Sequence, residues 1–484
     1  MKTSLRQRLM LNTRTARQRM VLVAVAVGLF GALIVLITRA ATTSVQLEAE
    51  SASVTGTASV KEDGTASGGK ALHFGQVATN PSNGAGSIAW PLKVSGNKRY
   101  LVDQNNKPFL VIADTAWPLL PHVSVSDAKK LIDTRKSQGF NAILTNMVGW
   151  DRDKNGPNGT PFTGADVTKP VESYWQAVDQ VMEYAKTQGM LLIVGPMPTG
   201  NNSGMNAGAM TTYGTWLGQR YKNQGNLLWY VGHDSAPSQD YAANSAEAAA
   251  IKAQIPSALI TYHMYGLAYP WENNAPSESW YGFYSMQWNG VGSPYMYELV
   301  SSMYNRSPTR PVLINEPAYE PNNADPNGDS STSPADVRNQ AWWSVLAGAM
   351  GAVYGGPLGA WNIGAESAPN WSDLERVQAS QVGNVGRILG QFAWEKLSPR
   401  GGGGTQTAVA SDGSLVVVYA AGGGSVSVNL SSMSGAGSAQ WYDPVSGQAS
   451  GSAQPVTGGG SQSFSAPGSN SGGDSDWVLV VKKS

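Results

Sequence analysis

The chain has no cysteine among its 484 residues. That absence excludes disulfides, thiolate metal sites and a cysteine nucleophile together. Charge is scarce as well: 14% of residues are charged, and 33 Lys+Arg balance 33 Asp+Glu. Seven of the basic residues fall in the first 40 positions with no acid beside them, so residues 41–484 carry 33 − 7 = 26 basic groups against 33 acidic, a net of −7. A nucleic-acid partner is therefore not expected. No Gly-rich phosphate loop and no His/Asp/Glu spacing typical of a catalytic metal occurs, so neither cofactor nor metal is expected. "DRDKNGPNG" at 151–159 begins like a calcium loop, but its twelfth position is Phe162 rather than Glu, and a plain polar loop is the simpler reading. Phenylalanine is rare, 8 against 16 Trp and 19 Tyr. The amphipathic rings that stack on sugars are thus the abundant ones, although core packing accounts for most of them.

Only one long uncharged apolar run is present, "VLVAVAVGLFGALIVLI" at 21–37, preceded by Lys2, Arg6, Arg8, Arg14, Arg17 and Arg19. It is long enough to span a bilayer with its basic side in. "TRAA" at 38–41 also offers a signal peptidase small residues. Residues 1–40 are read as a basic tail plus membrane anchor or signal peptide, which puts the remainder outside the cytoplasm, secreted or on the cell surface.

Residues 41–87 alternate Val, Leu, Ala and Ser between Gly pairs, a strand-and-turn texture. Their "LEAESA…ASGGKALHFG" pattern resembles the opening of a β-sandwich carbohydrate-binding module, truncated to about a third. From residue 88 to 400, strands alternate with helices, the signature of a parallel sheet. Eight candidate strands are "FLVIA" (109–113), "NAILT" (141–145), "MLLIV" (190–194), "LLWYV" (227–231), "LITYH" (259–263), "WYGFYSMQ" (280–287), "PVLIN" (311–315) and "GAVYG" (351–355). Helical stretches such as "SVSDAKKLIDTRKSQG", "PVESYWQAVDQVMEYAKTQG" and "SPADVRNQAWWSVLAGAMG" lie between them, while the fifth connection is too polar and Pro-rich for a helix. The expected fold is α/β, a TIM (β/α)8 barrel. Residues 401–484, with "SLVVVYAA", "SVSVNL" and "DWVLVVKK" between Gly/Ser turns, are read as a small antiparallel β-sandwich.

Barrel active sites are built at the C-terminal ends of the strands. There the sequence places Asp114 and Trp117, then Asn146, His233 and Asp234, His263 and Tyr265, Gln287 and Asn289, Glu316 with Tyr319 and Glu320, and Trp361 with Asn362. Acids after strands four and seven face one another across the mouth, the arrangement of a glycosidase. "NEP" at 315–317 is also common at strand four as an acid/base, so the motif alone would swap the roles; the late position of Glu316 assigns it as nucleophile and Asp234 as acid/base. Trp229 or Tyr230 would supply the apolar wall that keeps Asp234 protonated. Glu320 is expected to bind substrate or orient neighbours. Two bland readings stand beside these: Asp114 as a turn cap and His263 as a core imidazole.

The series "YLVDQNNKPFLVIADTAWPLL", "ESYWQAVDQVMEYAKTQGMLLIVGPMP", "NLLWYVGHD" and "PVLINEPAYE" resembles the apiosidase-like barrel family, glycoside hydrolase family 140 and its relatives. "WYDPVSGQ…GDSDWVLVV" resembles the collagen-binding-type β domain that follows that barrel. The resemblance implies an Asp acid/base in a Gly-Gly-Asp segment and a Glu nucleophile in a Glu-Pro-x-Tyr-Glu segment, at Asp234 and Glu316 here. His233 in place of Gly, and "LIN" before the Glu, depart from the family pattern. The expectation is a retaining glycoside hydrolase acting on carbohydrate, a monomer, held to a membrane through its N-terminal segment. The rival is a non-catalytic surface protein that binds polysaccharide and keeps the barrel as scaffold, and a third reading is a collagen or matrix adhesin.

Overall fold

The computed structural model describes residues 58–62, 70–74 and 88–484, except 150–155, 198–204, 237, 239, 267, 288–294, 321–331, 358–370 and 402–404. The chain divides into two units, residues 1–80 and 81–484. In the first, Ala58–Glu62 and Lys70–Phe74 pair as an antiparallel hairpin, with Ala58 opposite Phe74 and Glu62 opposite Lys70. The apolar run at 21–37 lies outside the described residues, as does most of the "DRDKNGPNG" loop. Among the described residues no helix is long and apolar enough to cross a membrane.

The second unit contains eight parallel strands: β1 (Val111–Thr115), β2 (Ala142–Asn146), β3 (Leu191–Gly195), β4 (Leu227–Ser235), β5 (Ile260–Met264), β6 (Tyr284–Gln287), β7 (Val312–Glu316) and β8 (Gly351–Tyr354). Strands β5-β4-β3-β2-β1-β8 form one continuous ladder and β6-β7 another. A few backbone bonds join the two: Gly282 N–H donates to Ile260 O at 2.7 Å beside β5, and Met350 N–H donates to Val312 O at 2.8 Å beside β8. The sheet thereby closes on itself as a (β/α)8-type barrel. Each strand sits within a few residues of its expected run.

These strands read as unbroken apolar runs because both faces are covered. Alternate residues divide between two cores. Val111, Ala113, Leu144, Ile193, Leu228, Tyr230, Leu313 and Val353 fill the interior, where Leu92, Leu101 and Phe109 from the preceding segment join them. Ile112, Ile143, Leu192 and Trp229 pack outward beneath the helices. The surrounding helices include α1 (Val125–Gln138), α2 (Glu172–Thr187), α3 (Ala207–Tyr221), α4 (Tyr241–Gln254), α5 (Tyr295–Tyr304), α6 (Pro334–Leu346) and α7 (Val377–Leu389). Local chemistry sets their ends. Ser124 caps α1, which stops at Gly139 with φ 101°, and α6 opens on a Ser333/Asp336 capping box with Pro334 in its first turn. Between β5 and β6 the described residues form only a 3-10 turn at Ala275–Ser277, as the polar, Pro-bearing sequence there requires.

After the barrel, an antiparallel sheet runs Leu397–Pro399, Thr405–Ala410, Leu415–Ala420, Trp477–Lys483, Ala436–Tyr442, Ala449–Thr457, and a second pairs Ser425–Asn429 with Ser461–Ser465. Val416, Val418, Val426, Val428, Phe464 and Leu479 fill the space between them. The opposite face of the larger sheet, Val417, Tyr419, Val478 and Val480, shares a core with the helices of the barrel. There Arg338 of α6 is buried against Asp476 at 2.7 Å and Asp474 at 2.6 Å, and Trp342 stacks on Tyr419.

Candidate active site

A break in β4 shapes the mouth. Val231 pairs with Tyr262 and Ser235 with Met264, so four steps along β4 oppose two along β5. Gly232 (φ 75°) and Asp234 (φ 55°) absorb the excess in left-handed backbone. A Cβ on Gly232 would lie 2.4 Å from the Tyr262 ring, so only glycine fits. Asp234 tolerates that region better than most residues, although the conformation still costs about 1 kcal/mol or more. The bulge has a chemical consequence: two successive side chains, His233 and Asp234, both reach the cleft, where a regular strand would turn one away.

Beneath them lies a floor of aromatic rings. Tyr230 fills the interior because Gly195 leaves room; a Cβ there would fall 2.3 Å from the Tyr230 ring. The Tyr230 hydroxyl donates to Asn146 Oδ1 at 2.7 Å, and the same oxygen is 2.8 Å from His233 Nδ1. Since the amide oxygen accepts, the His233 proton sits on Nδ1 and the lone pair on Nε2, which is 3.7 Å from Asp234 Oδ2. His233 and His263 stack with ring centres 4.7 Å apart, and Trp117 covers His233 at 4.5 Å. Burial, then the neighbouring His263, pushes the His233 imidazole well below its ordinary pKa, so it is neutral.

Glu316 ends β7 inside this ring of groups. Tyr319 donates its hydroxyl to Glu316 Oε1 at 2.6 Å and accepts from Trp117 Nε1 at 2.7 Å. His263 Nε2 lies 3.1 Å from Glu316 Oε2. Across the mouth Asp234 is hydrogen-bonded by Gln287, which also accepts from Gly266 N–H at 2.8 Å. Burial first and the Glu316 charge second raise Asp234 to about 6. One donor atom from each of His233, Asp234, His263 and Glu316 lies within 4.8 Å of the others. Asp234 keeps 31% of its side chain exposed, and so faces the opening.

The structure thus brings together Trp117, Asn146, His233, Asp234, His263, Gln287, Glu316 and Tyr319. It does not bring Asp114, Glu320 or Tyr265 to that cluster. Asp114 is a strand residue of β1 pointing outward, where its Oδ2 takes Arg135 Nε of α1 at 2.7 Å, both side chains fully buried. Glu320 turns back beneath the helices, accepting from the Tyr354 hydroxyl at 2.8 Å and from Arg376 at 3.3 Å. Tyr265 stands 63% exposed after β5. Trp361, Asn289 and Asn362 lie outside the described residues. Trp229 faces the helix layer, so of the two rings expected beside Asp234 only Tyr230 belongs to the interior. Sequence reading placed all four of these residues at the mouth but did not anticipate that His233 and His263 stack between the two carboxylates, because they come from three different strands.

A closed parallel barrel with two carboxylates facing across its C-terminal mouth is the architecture of a glycoside hydrolase. The chain belongs to the apiosidase-like catalytic-domain family, whose model matches residues 95–396; residues 402–482 match a "Putative collagen-binding domain of a collagenase". Two solved structures are similar. One, titled "Glycoside hydrolase", is 23% identical over 82% of this chain and 97% of its own, with a TM-score of 0.69. The other, a glycoside hydrolase family 5 structure from Bacteroides vulgatus ATCC 8482, is 22% identical over 82% of this chain and 94% of its own, with a TM-score of 0.70. At these identities the likeness is one of fold. No curated protein matched the chain.

Proposed function

We propose that this glycoside hydrolase acts with retention on extracellular poly- or oligosaccharide, with Glu316 as nucleophile and Asp234 as acid/base. The observation that carries the reading is the pair itself, with one carboxylate oxygen of Asp234 no more than 4.8 Å from one of Glu316. Retaining enzymes hold their carboxyls about 5 to 5.5 Å apart, inverting ones roughly 6.5 to 9.5 Å to admit a water. Asp234, raised to about 6, is suited to hold a proton near neutral pH.

In the first step a Glu316 oxygen bonds to the anomeric carbon as the glycosidic C–O bond breaks, and Asp234 gives its proton to the departing oxygen. Water then attacks the glycosyl-Glu316 ester, losing a proton to Asp234 and freeing the carboxylate. Tyr319 and His263 fix the attacking carboxylate, and Trp117 holds Tyr319 in place. The basic N-terminal tail and the apolar run at 21–37 support a cell-surface or secreted location.

The test is a panel of plant and microbial glycans, with apiose-terminated substrates included because of the family, assayed with the full chain and with Glu316→Gln and Asp234→Asn. Hydrolysis by the wild type that both variants lose supports the assignment. Tight glycan binding without turnover anywhere on the panel would instead favour a carbohydrate-binding scaffold.

A further inference from the structure

We propose that His233, Asp234, His263 and Glu316 also form a binding site for a divalent transition metal such as Zn2+, and that the bound ion closes the cleft to sugar. The metal site stands on the geometry alone; only its competition with sugar rests on the hydrolase reading.

The donor set is two imidazoles and two carboxylates, the N and O ligands that zinc takes in tetrahedral sites. Their donor atoms already lie within 4.8 Å of one another. Ligands at about 2.0 to 2.2 Å from a tetrahedral ion stand roughly 3.4 Å apart, so side-chain shifts of about an ångström complete the shell. One edge is already shorter than that, His263 Nε2 to Glu316 Oε2 at 3.1 Å.

Two further features point to a ligand. His233 is fixed by Asn146 Oδ1 on Nδ1, which turns Nε2 toward Asp234 Oδ2 at 3.7 Å. A backbone or side-chain oxygen holding the far ring nitrogen is how metal-bound histidines are usually oriented. His263 is fully buried; its Nε2 faces only Glu316 Oε2, and its Nδ1 and the buried Asp234 Oδ1 have no hydrogen-bond partner. Buried polar atoms with few partners are costly, and a cation shared by one His263 nitrogen, Glu316 and Asp234 would offset part of that cost. Proteins with vicinal carboxylates and imidazoles select Zn2+, Co2+, Ni2+ or Cu2+ over Mg2+ or Ca2+, which prefer oxygen alone. The ion would occupy both carboxylates that the hydrolysis needs, and so act as a reversible inhibitor.

The experiment is titration of the metal-free full-length chain, in detergent, with Co2+ followed by visible absorption. The chain has no cysteine and only four histidines, so the spectrum has few other sources. One Co2+ per chain with intense tetrahedral d–d bands, bleached by Zn2+, is the expected result. His263→Gln and Glu316→Gln should each weaken the ion at least tenfold, and Asn146→Ala, which frees the His233 ring, about 10- to 100-fold. His73→Ala should change nothing. Two separate ligand variants keep the test decisive should one fail to fold, which circular dichroism reports. Only pale octahedral Co2+, or tetrahedral bands that survive both His263→Gln and Glu316→Gln, would overturn the site. Tetrahedral Co2+ in a chain that hydrolyses no glycoside leaves the metal site standing and removes the hydrolase reading, while hydrolysis unaffected by saturating Zn2+ removes the inhibitory role.

Discussion

Asp234 and Glu316 owe their chemistry to neighbours more than to their own acidity. Burial and the facing Glu316 charge raise Asp234 to about 6, so the acid form that hydrolysis requires is lost as pH rises through that value. We expect kcat/KM to fall above about pH 6 with a slope of one proton, the apparent constant belonging to the Asp234–Glu316 pair. A profile flat to about pH 9 would contradict the acid role. A second buried acid affects stability instead. Glu247 of α4 is fully buried, neither carboxyl oxygen has a hydrogen-bond partner, and burial pushes its pKa well above the ordinary range. The folded chain therefore keeps a proton that the unfolded chain releases above about pH 4.3, so this contribution is full below that pH and lost as pH rises toward the folded pKa. The loss is about 1.4 kcal/mol per pH unit until the folded group ionises. Glu247→Gln should narrow the gap between melting temperatures at about pH 5 and about pH 8, and an unchanged gap would mean that other groups set it. Residue-level legibility was uneven for a physical reason. Asp114 looked like a rim residue because the apolar run stops at Ala113, whereas β1 continues to Thr115 and strand alternation turns Asp114 outward to Arg135.

At the scale of elements, the β4 bulge is what makes one strand deliver two adjacent functional groups. Gly232→Ala places a Cβ against the Tyr262 ring at a positive φ, so the strand has to shift. A displacement of about 1 Å in Asp234 would lower kcat about 100-fold while leaving the barrel folded. Activity within twofold of wild type would show that the bulge is not needed for catalysis. The bulge itself was not legible: "LLWYVGHDS" reads as a strand followed by a turn, and only pairing with Tyr262 and Met264 shows the strand running on to Ser235. The eight strands were legible because parallel strands buried on both faces are continuous apolar runs, and the helices because their caps and Gly stops are local. Closure of the barrel was an inference from size and alternation, since the β5–β6 and β7–β8 junctions hold few backbone bonds for any pattern to announce.

For the molecule as a whole, the β domain is joined to the barrel by a buried ion cluster and a shared apolar core. Arg338, 1% exposed, meets Asp474, Asp476 and Gln381, and Tyr419 donates to Asn339 and Asp476. Arg338→Met strands the buried Asp476 carboxylate and should cost about 3 to 5 kcal/mol, read as a lower melting temperature, with kcat/KM little changed on the folded fraction. Loss of activity without loss of stability would instead place the β domain in substrate binding. That coupling joins Arg338 to acids 136 and 138 positions along the chain, so nothing local in the sequence marks it. The central claim is that Asp234 and Glu316 cleave glycosides through a covalent Glu316 intermediate, and proton NMR of the first-formed product tests it most directly. Two displacements at the anomeric carbon return the starting configuration, so the account predicts that the initial product anomer matches the substrate before mutarotation sets in. An initially inverted anomer would contradict it.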